Sequence, residues 1–201
     1  MLTMRIRSRW IVLFAVVLAA GVSARGVVAS QLRADAVVEE LESSLAGEQL
    51  VRIADIAAAD GHLSRGVFAQ STSAGFFCLW DAPSAGALNR QGGCNSADDP
   101  LGGRQMFISF AYEGGPAASD VTDARLIGLV ADAVSSVAVV MDDGTRRAMK
   151  LRKATIESRA YSAFGHRFSR GELRRGAAPV AVVALEENGD EIDRQATGFG
   201  G

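Results

Sequence analysis

Two cysteines, Cys78 and Cys94, are the residues of this sequence with the greatest capacity for covalent chemistry. Their even number favours a disulfide if the chain folds in an oxidising compartment. A bond between them would close a ring of ~17 residues and stabilise the fold by about 3 kcal/mol in the chain-entropy model. Two free thiols and one catalytic thiol are the alternatives. A catalytic thiol needs a neighbouring base, and His62 and His166 are the two histidines of the sequence.

Metal and cofactor chemistry has little support in the spacing of side chains. His62 and His166 lack a metal-binding spacing such as H-E-x-x-H, so both are predicted to be surface or turn histidines. Asn95, Asp98 and Asp99 are a weak calcium candidate, because their spacing is not that of an EF-hand and such residues form ordinary turns. The sequence also lacks a G-x-S-x-G motif, a phosphate loop and a dinucleotide fingerprint. We therefore predict no catalytic residue, no metal and no cofactor.

Basic residues concentrate between positions 146 and 175, where ten Lys or Arg accompany two acids. The candidate anion-binding surface consists of Arg146, Arg147, Lys150, Arg152 and Lys153. It could face an anionic polymer of the cell envelope or lipid headgroups. Alternatively, the stretch is the solvated face of a half-buried strand, neutralised by acids from elsewhere in the fold. A nucleic acid is not an expected partner, because no aromatic side chain accompanies the bases of 146–153 for stacking.

The N-terminus has the three parts of a secretory signal. Arg5, Arg7 and Arg9 precede an apolar run, Trp10–Val22, and small residues follow it. This pattern predicts a signal peptide over 1–29, cleaved after Ala24 or Ala29. The alternative is an uncleaved anchor formed by residues 10–29 in the cytoplasmic membrane. The run is shorter than the ~20 apolar residues of a membrane span, so cleavage is favoured. We predict a secreted or extracytoplasmic protein that touches membrane only through this segment.

Behind this segment the pattern is that of a mainly β protein. The 22 glycines without a repeat indicate many tight turns. We predict one short helix or stalk over 31–47, a β region over 48–118, a β-sandwich-like region over 121–197 and a frayed tail over 198–201. Whether the two β regions are one domain or two is left open. The predicted strands are Val67–Thr72, Phe76–Asp81, Met106–Tyr112, Leu126–Ala131, Val137–Met141, Ala148–Arg152, Val180–Leu185 and Glu191–Gln195.

Three local predictions depend on the turns between these strands. Asp143-Gly144 and Asn188-Gly189 are hairpin turns, because both central residues need positive φ. The Gly-, Asn- and Asp-rich stretch Ala82–Arg104 is predicted as one long loop, pinned by the cysteines. Bulky side chains on both faces of Met106–Tyr112 predict a strand buried on both sides. Gln49–Ile56 is ambiguous between strand and helix.

Several segments resemble a known group of proteins. The stretches FFCLWDAP, QGGCNSADDP, LIGLVADAVSSVAVVMDDG and PVAVVALEENGDEIDR are similar to uncharacterised exported β-rich proteins of high-GC Gram-positive bacteria. The likeness covers most of the chain after residue 29 and rests on Gly, Cys and turn positions. It implies a β-sandwich-like exported domain with the two cysteines bridged, and it implies no activity.

These observations favour a non-enzymatic module for binding or structure, secreted or associated with the cell envelope. Its expected partner is an anionic envelope polymer or another exported protein. The surfaces best placed for binding are the 82–104 loop and the basic stretch. An extracellular hydrolase with an unrecognised site and a membrane-anchored surface sensor are the alternatives.

Overall fold

The computed structural model describes residues 50–85, 87, 89–114, 120–173 and 178–199. The predicted signal peptide and the predicted helix over 31–47 lie outside the described residues. The described part is mainly β, as predicted, and contains one short helix. The strands are β1 Val51–Ile56, β2 Arg65–Ser71, β3 Phe76–Ala82, β4 Gln91–Ser96, β5 Met106–Gly114, β6 Val121–Ala131, β7 Ser136–Met141, β8 Arg146–Ala148, β9 Arg152–Ile156, β10 Arg159–Phe168, β11 Pro179–Leu185 and β12 Glu191–Ala196, and the helix is α1 Arg170–Leu173.

The strands form three antiparallel sheets of four strands each. The first sheet has the order β1-β2-β3-β4, the middle sheet β5-β6-β10-β9 and the third sheet β12-β11-β7-β8. Strand β1 lies against β10, β3 against β6 and β4 against β5, so the first sheet covers one face of the middle sheet. Strand β5 of the predicted β region over 48–118 joins the middle sheet with three strands of the predicted sandwich-like region over 121–197, so the two predicted regions share one stack of three layers. By its internal contacts the whole of Glu48–Gly201 forms one compact unit.

Strand β6 shows why the middle sheet is buried on both faces. Ile127 and Leu129 belong to the hydrophobic cluster shared with the first sheet. Leu126 and Val130 point the other way, into the cluster shared with the third sheet. Because side chains alternate along a strand, an unbroken apolar run fits a strand covered on both sides. The apolar run LIGLVA, residues 126–131, is the run that lets β6 be covered on both sides.

Two glycines of the middle sheet allow close packing, Gly165 against the first sheet and Gly128 against a neighbouring strand of its own sheet. A Cβ atom at Gly165 on β10 would lie 2.7 Å from Ile56 and 2.8 Å from Val67 of the first sheet. A Cβ atom at Gly128 on β6 would lie 2.2 Å from the ring of Phe164. Any side chain at either position would push apart groups that are already in contact.

Both predicted hairpins are confirmed, but only the glycine of each pair has positive φ, so the prediction that both central residues need positive φ is wrong. Asp143-Gly144 joins β7 to β8, and Gly144 has a φ of 81°. Asn188-Gly189 joins β11 to β12, and Gly189 has a φ of 88°. The ambiguous stretch before residue 57 is a strand, β1, which pairs with β2.

Four predictions about elements are wrong. The tail predicted to be frayed over 198–201 contains Phe199, which is 6% exposed and packs in the cluster shared with the third sheet. The predicted loop over 82–104 contains β4, which pairs with β3 along its whole length. The predicted strand Ala148–Arg152 does not exist as one element, because β8 ends at Ala148 in the third sheet and β9 begins at Arg152 in the middle sheet. Strand β5 lies at an edge of the middle sheet and is only partly buried beyond Met106, so it is not buried on both sides.

Helix α1 is a single turn closed by a reciprocal cap. The N–H of Glu172 donates to Oγ of Ser169 at 3.3 Å, and the N–H of Ser169 donates to the Glu172 carboxylate at 2.5 Å. This is the capping-box arrangement, and it places Leu173 in the core. Across the described residues, no helix combines the length and the apolar content that crossing a membrane requires.

Candidate functional site

The two cysteines form a disulfide, as predicted. Cys78 on β3 and Cys94 on β4 are register partners, and a bond joins their sulfur atoms. The bond ties the Gly-rich strand β4 to the centre of the first sheet. Since neither thiol is free, the interpretations as two free thiols or as one catalytic thiol are excluded.

A network of buried charges lies between the first and middle sheets. We call it the arginine–aspartate network, and its members are Arg65, Asp81, Asp123, Arg125 and Arg167. Arg125 is only 2% exposed, and its Nε donates to Oδ2 of Asp81 at 2.5 Å while its Nη1 donates to Asp123. Arg65 donates to the second oxygen of Asp81. Arg167 donates to Oδ1 of Asp123 at 2.9 Å.

Each carboxylate in the network thus accepts hydrogen bonds from two guanidinium groups. Burying an ion is costly unless oppositely charged or hydrogen-bonding groups compensate it. Here every charged side chain of the network has at least one oppositely charged partner. The network links the first sheet to the middle sheet and gives each aspartate two guanidinium partners. A charged residue at an inward position of an apolar strand is the sequence feature that could have revealed this network. Examples are Asp81 in FFCLWDA and Arg125 in DARLIG.

The two histidines occupy different environments. His62 follows the Asp60-Gly61 turn, as predicted, and its Nε2 lies 3.1 Å from the carbonyl oxygen of Thr122. His166 is not a surface or turn histidine, because it lies within β10 with its ring 4.7 Å from that of Phe168. Its Nε2 is buried and has no hydrogen-bond partner among the described residues. Burial, together with the charge of Arg147, lowers the pKa of His166.

Two residues of the weak calcium candidate take part in turn hydrogen bonds. Nδ2 of Asn95 donates to the carbonyl oxygen of Pro100 at 3.0 Å. The N–H of Asp99 donates to the carbonyl oxygen of Ser96 at 3.1 Å. No group of three or more His, Cys, Asp or Glu side chains that could hold a metal ion occurs in the part of the chain that the structure describes.

The basic stretch is divided between two sheets and neutralised by acids. Arg146 and Arg147 lie on β8 of the third sheet, whereas Arg152 and Lys153 lie on β9 of the middle sheet. Lys150 lies between these strands. Four of these five bases have an acidic partner, and the ion pairs are Arg146–Glu191, Arg147–Glu172, Arg152–Asp55 and Lys153–Asp132. The structure therefore does not bring the five bases together as one free cationic surface.

The open edge of β5 is a feature that sequence reasoning missed. The carbonyl oxygen of Gln105 accepts a hydrogen bond from the N–H of Ala131, at 2.9 Å, so odd-numbered residues direct their backbone groups toward β6. Even-numbered residues therefore direct theirs outward. At Met106 these groups are satisfied, because its N–H donates to Asp193 at 3.2 Å and its carbonyl accepts from the Gln195 side chain.

Beyond Met106 the outward groups have no such partners. The N–H and C=O groups of Ile108, Phe110 and Tyr112 make no hydrogen bond to any described residue. An unpaired strand edge is a template for another strand. The edge of β5 thus offers three donors and three acceptors in a row.

A groove and an aromatic shelf flank this edge. The groove, of about 310 Å³, lies between β4 and β5 and is lined by Gln91, Gly92, Ser109, Phe110, Ala111 and Tyr112. The aromatic shelf consists of Phe110, Tyr112 and Phe199. Its ring centroids lie 5.4 Å apart for Phe110–Phe199 and 5.2 Å apart for Tyr112–Phe199, both in edge-to-face geometry. Tyr112 is 44% exposed, so the shelf reaches solvent.

A larger cleft, of about 530 Å³, lies at the far end of the first sheet. It is lined by Val51, Ala69, Gln70, Ser71, Thr72, Ser73, Thr155, Ile156 and Glu157. Oγ of Ser71 is buried there without a partner among the described residues. Glu157 is the one carboxylate among the described residues of this lining, whereas a hydrolase acting through a carboxylate pair needs two.

In comparisons with known proteins, no family model, curated protein or solved structure matches this chain. The resemblance to exported proteins of high-GC Gram-positive bacteria therefore stays a prediction.

Proposed function

We propose that this protein is an exported, non-enzymatic binding module that captures an extended polypeptide by adding it as a strand to the open edge of β5. The observation that carries the proposal is the row of outward backbone groups at Ile108, Phe110 and Tyr112. Backbone N–H and C=O groups need partners when they leave water. An added strand supplies those partners, and neighbouring side chains supply affinity.

The surroundings of β5 support strand capture over binding of an anionic polymer. Four bases of the basic stretch already have acidic partners, so a polyanion would have to displace those acids. At the β5 edge, by contrast, a peptide would displace no hydrogen bond made by a described residue. Of the two expected partners, another exported protein therefore fits better than an envelope polymer.

The position of the module outside the cytoplasm is part of the same proposal. It is supported by the basic and apolar pattern over 5–22. The Cys78–Cys94 disulfide is consistent with it, because such bonds persist in oxidising compartments.

The test uses a substitution that removes one outward donor and leaves the β6 ladder intact. Ile108→Pro deletes an N–H that points away from β6, and proline is tolerated on the open side of an edge strand. Ile108→Ala is the matched control, because it shortens the side chain and keeps the donor. A displayed library of linear nine-residue segments is selected on the wild-type protein, and recovered segments are synthesised and measured by fluorescence anisotropy.

We expect segments that bind wild type and Ile108→Ala with similar affinity and bind Ile108→Pro at least about tenfold more weakly. Hydrogen exchange should show new protection at the amides of Ile108, Phe110 and Tyr112 in the complex. Unchanged affinity for the folded Ile108→Pro protein, or protection confined to another surface, would overturn the proposal.

A further inference from the structure

We infer that the captured segment carries a basic residue followed by aromatic or large aliphatic side chains at every second position, in the order basic–aromatic–x–aromatic–x–aliphatic. This inference rests on the proposed function, because it specifies the ligand of the same edge. It follows from the two faces of β5, which present different chemistry to an added strand.

The face of β5 toward the third sheet sets the apolar positions. Ile108, Phe110 and Tyr112 direct their side chains to this face, where Ile108 and Phe110 pack against the cluster shared with the third sheet. Residues directly opposite in an antiparallel pair have Cβ atoms about 4.5–5.5 Å apart. Ligand residues opposite Tyr112 and Phe110 would therefore extend the aromatic shelf, and the residue opposite Ile108 would cover an aliphatic side chain.

The opposite face of β5, toward the first sheet, sets the charged position of the captured segment. Glu113 lies at the end of β5, its side chain is 54% exposed, and Arg125 approaches its Oε1 at 3.4 Å. Arg125 is held more closely by Asp81 and Asp123. The carboxylate of Glu113 is thus open to a cation from the ligand.

The register follows from these two faces and from the direction of the strands. All strand pairs of the described sheets are antiparallel, and an antiparallel ligand runs from Glu113 toward Ile108. Its first residue lies opposite Glu113, its second opposite Tyr112, its fourth opposite Phe110 and its sixth opposite Ile108. The second, fourth and sixth residues are also those that exchange hydrogen bonds with β5.

The experiment compares two peptides of identical composition. The matched peptide is Lys-Phe-Thr-Phe-Thr-Val-Thr. The shifted peptide, Lys-Thr-Phe-Thr-Phe-Thr-Val, places its aromatic residues on the same face as its lysine, so one register cannot satisfy both requirements. Affinities are measured by anisotropy for wild type, Glu113→Gln, Tyr112→Ala and Ile108→Pro. Leu63→Ala is the control, because it removes an apolar side chain that is 83% exposed elsewhere.

We expect the matched peptide to bind at least about tenfold more tightly than the shifted one. Glu113→Gln should weaken the matched peptide about two- to fivefold and reduce the salt dependence of binding. Tyr112→Ala should weaken it about three- to tenfold, and Leu63→Ala should change nothing.

The outcomes separate the two proposals. If both peptides bind with equal affinity and Ile108→Pro weakens both, the edge captures strands without selecting their side chains. That result overturns this inference and keeps the proposed function. If neither peptide binds and the selected segments also ignore Ile108→Pro, the proposed function fails and the inference fails with it.

Discussion

Arg125 connects more of the fold than its single side chain suggests. It donates to Asp81 from the first sheet and to Asp123 on its own strand, and Gln91 accepts from it at 2.7 Å. Sequence alone marked none of these residues as a group, because they come from β3, β4 and β6. Only the packing of two sheets brings them together.

Replacing this guanidinium should be costly for stability. We expect Arg125→Met to lower the free energy of unfolding by about 3–5 kcal/mol, because it leaves two buried carboxylates with fewer partners. Urea unfolding measures the loss. Arg159→Met, which removes only a 3.4 Å contact to the Asp98 carbonyl, should stay within about 0.5 kcal/mol. A loss below about 1 kcal/mol in Arg125→Met would show that the network does not hold the sheets together.

His166 should make the fold sensitive to mild acid. Burial lowers the pKa of His166 in the folded protein below the ordinary value of 6.5. Between the folded-state pKa and 6.5, the imidazole is therefore protonated in the unfolded chain but neutral in the folded chain. The free energy of unfolding should therefore fall as pH drops below about 6.5, with no contribution from this group above about pH 7.5. We expect His166→Phe to lose less stability than wild type between pH 7.5 and 5.5, measured by urea unfolding. An identical pH slope in both proteins would contradict this assignment.

Asp193 fastens the start of β5 to the third sheet. Burial alone would raise its pKa, but hydrogen bonds from Arg104 and from the N–H groups of Gln105 and Met106 together hold its pKa below the ordinary value. These bonds also explain why the open part of the edge begins only after Met106.

At the scale of elements, the β9–β10 turn is built from residues that disfavour it. Glu157 and Ser158 adopt φ values of 49° and 66°, in the left-handed region that non-glycine residues rarely occupy. A two-residue hairpin of this kind prefers Asn-Gly.

Replacing the pair by the preferred residues should stabilise the protein. We expect the double variant Glu157→Asn, Ser158→Gly to raise the free energy of unfolding by about 1 kcal/mol, because it relieves two left-handed conformations. Thermal unfolding, followed by circular dichroism, measures the change. Ser158→Ala keeps the same φ requirement and should give no gain. A melting temperature below that of wild type would show that the native side chains make contacts worth more than the relief.

Prediction from sequence succeeded where elements are specified locally. Asp143-Gly144 and Asn188-Gly189 fix their hairpins by backbone preference, and the alternation over Met106–Tyr112 identified a strand. Strand β4 was missed because Gln91, Gly92 and Gly93 have low strand propensity. Its conformation comes from pairing with β3 and from the disulfide, neither of which a local pattern encodes.

The open edge was beyond local reasoning for a related reason. The side chains of β5 suggest burial on both faces, but whether a strand lies at the centre or the edge depends on sheet order. Here β6 takes one side of β5, and β10, which comes later in the chain, takes the other side of β6. The candidate binding site is thus a property of topology.

At the scale of the whole molecule, we predict that the basic and apolar N-terminal segment directs the protein out of the cytoplasm. We expect the exported product to begin after Ala24 or Ala29, because small residues follow the apolar run. N-terminal sequencing of the protein recovered from culture medium or envelope fractions gives the answer. A product that starts at Met1 and sediments with membranes would support the anchor formed by 10–29. A cytosolic product with reduced Cys78 and Cys94 would contradict export altogether.

The route of the chain through the three layers constrains when the protein can fold. After β6 the chain leaves the middle sheet, makes β7 and β8 of the third sheet, returns for β9 and β10, and departs again for β11 and β12. The centre of the third sheet, where β11 pairs with β7, thus cannot form until β11 has been synthesised. Strand pairings between distant parts of a chain form slowly. In a polypeptide crossing a membrane from its N-terminus, the third layer would therefore stay incomplete until β11 and β12 emerged, and β1 to β10 would cross before the fold could close.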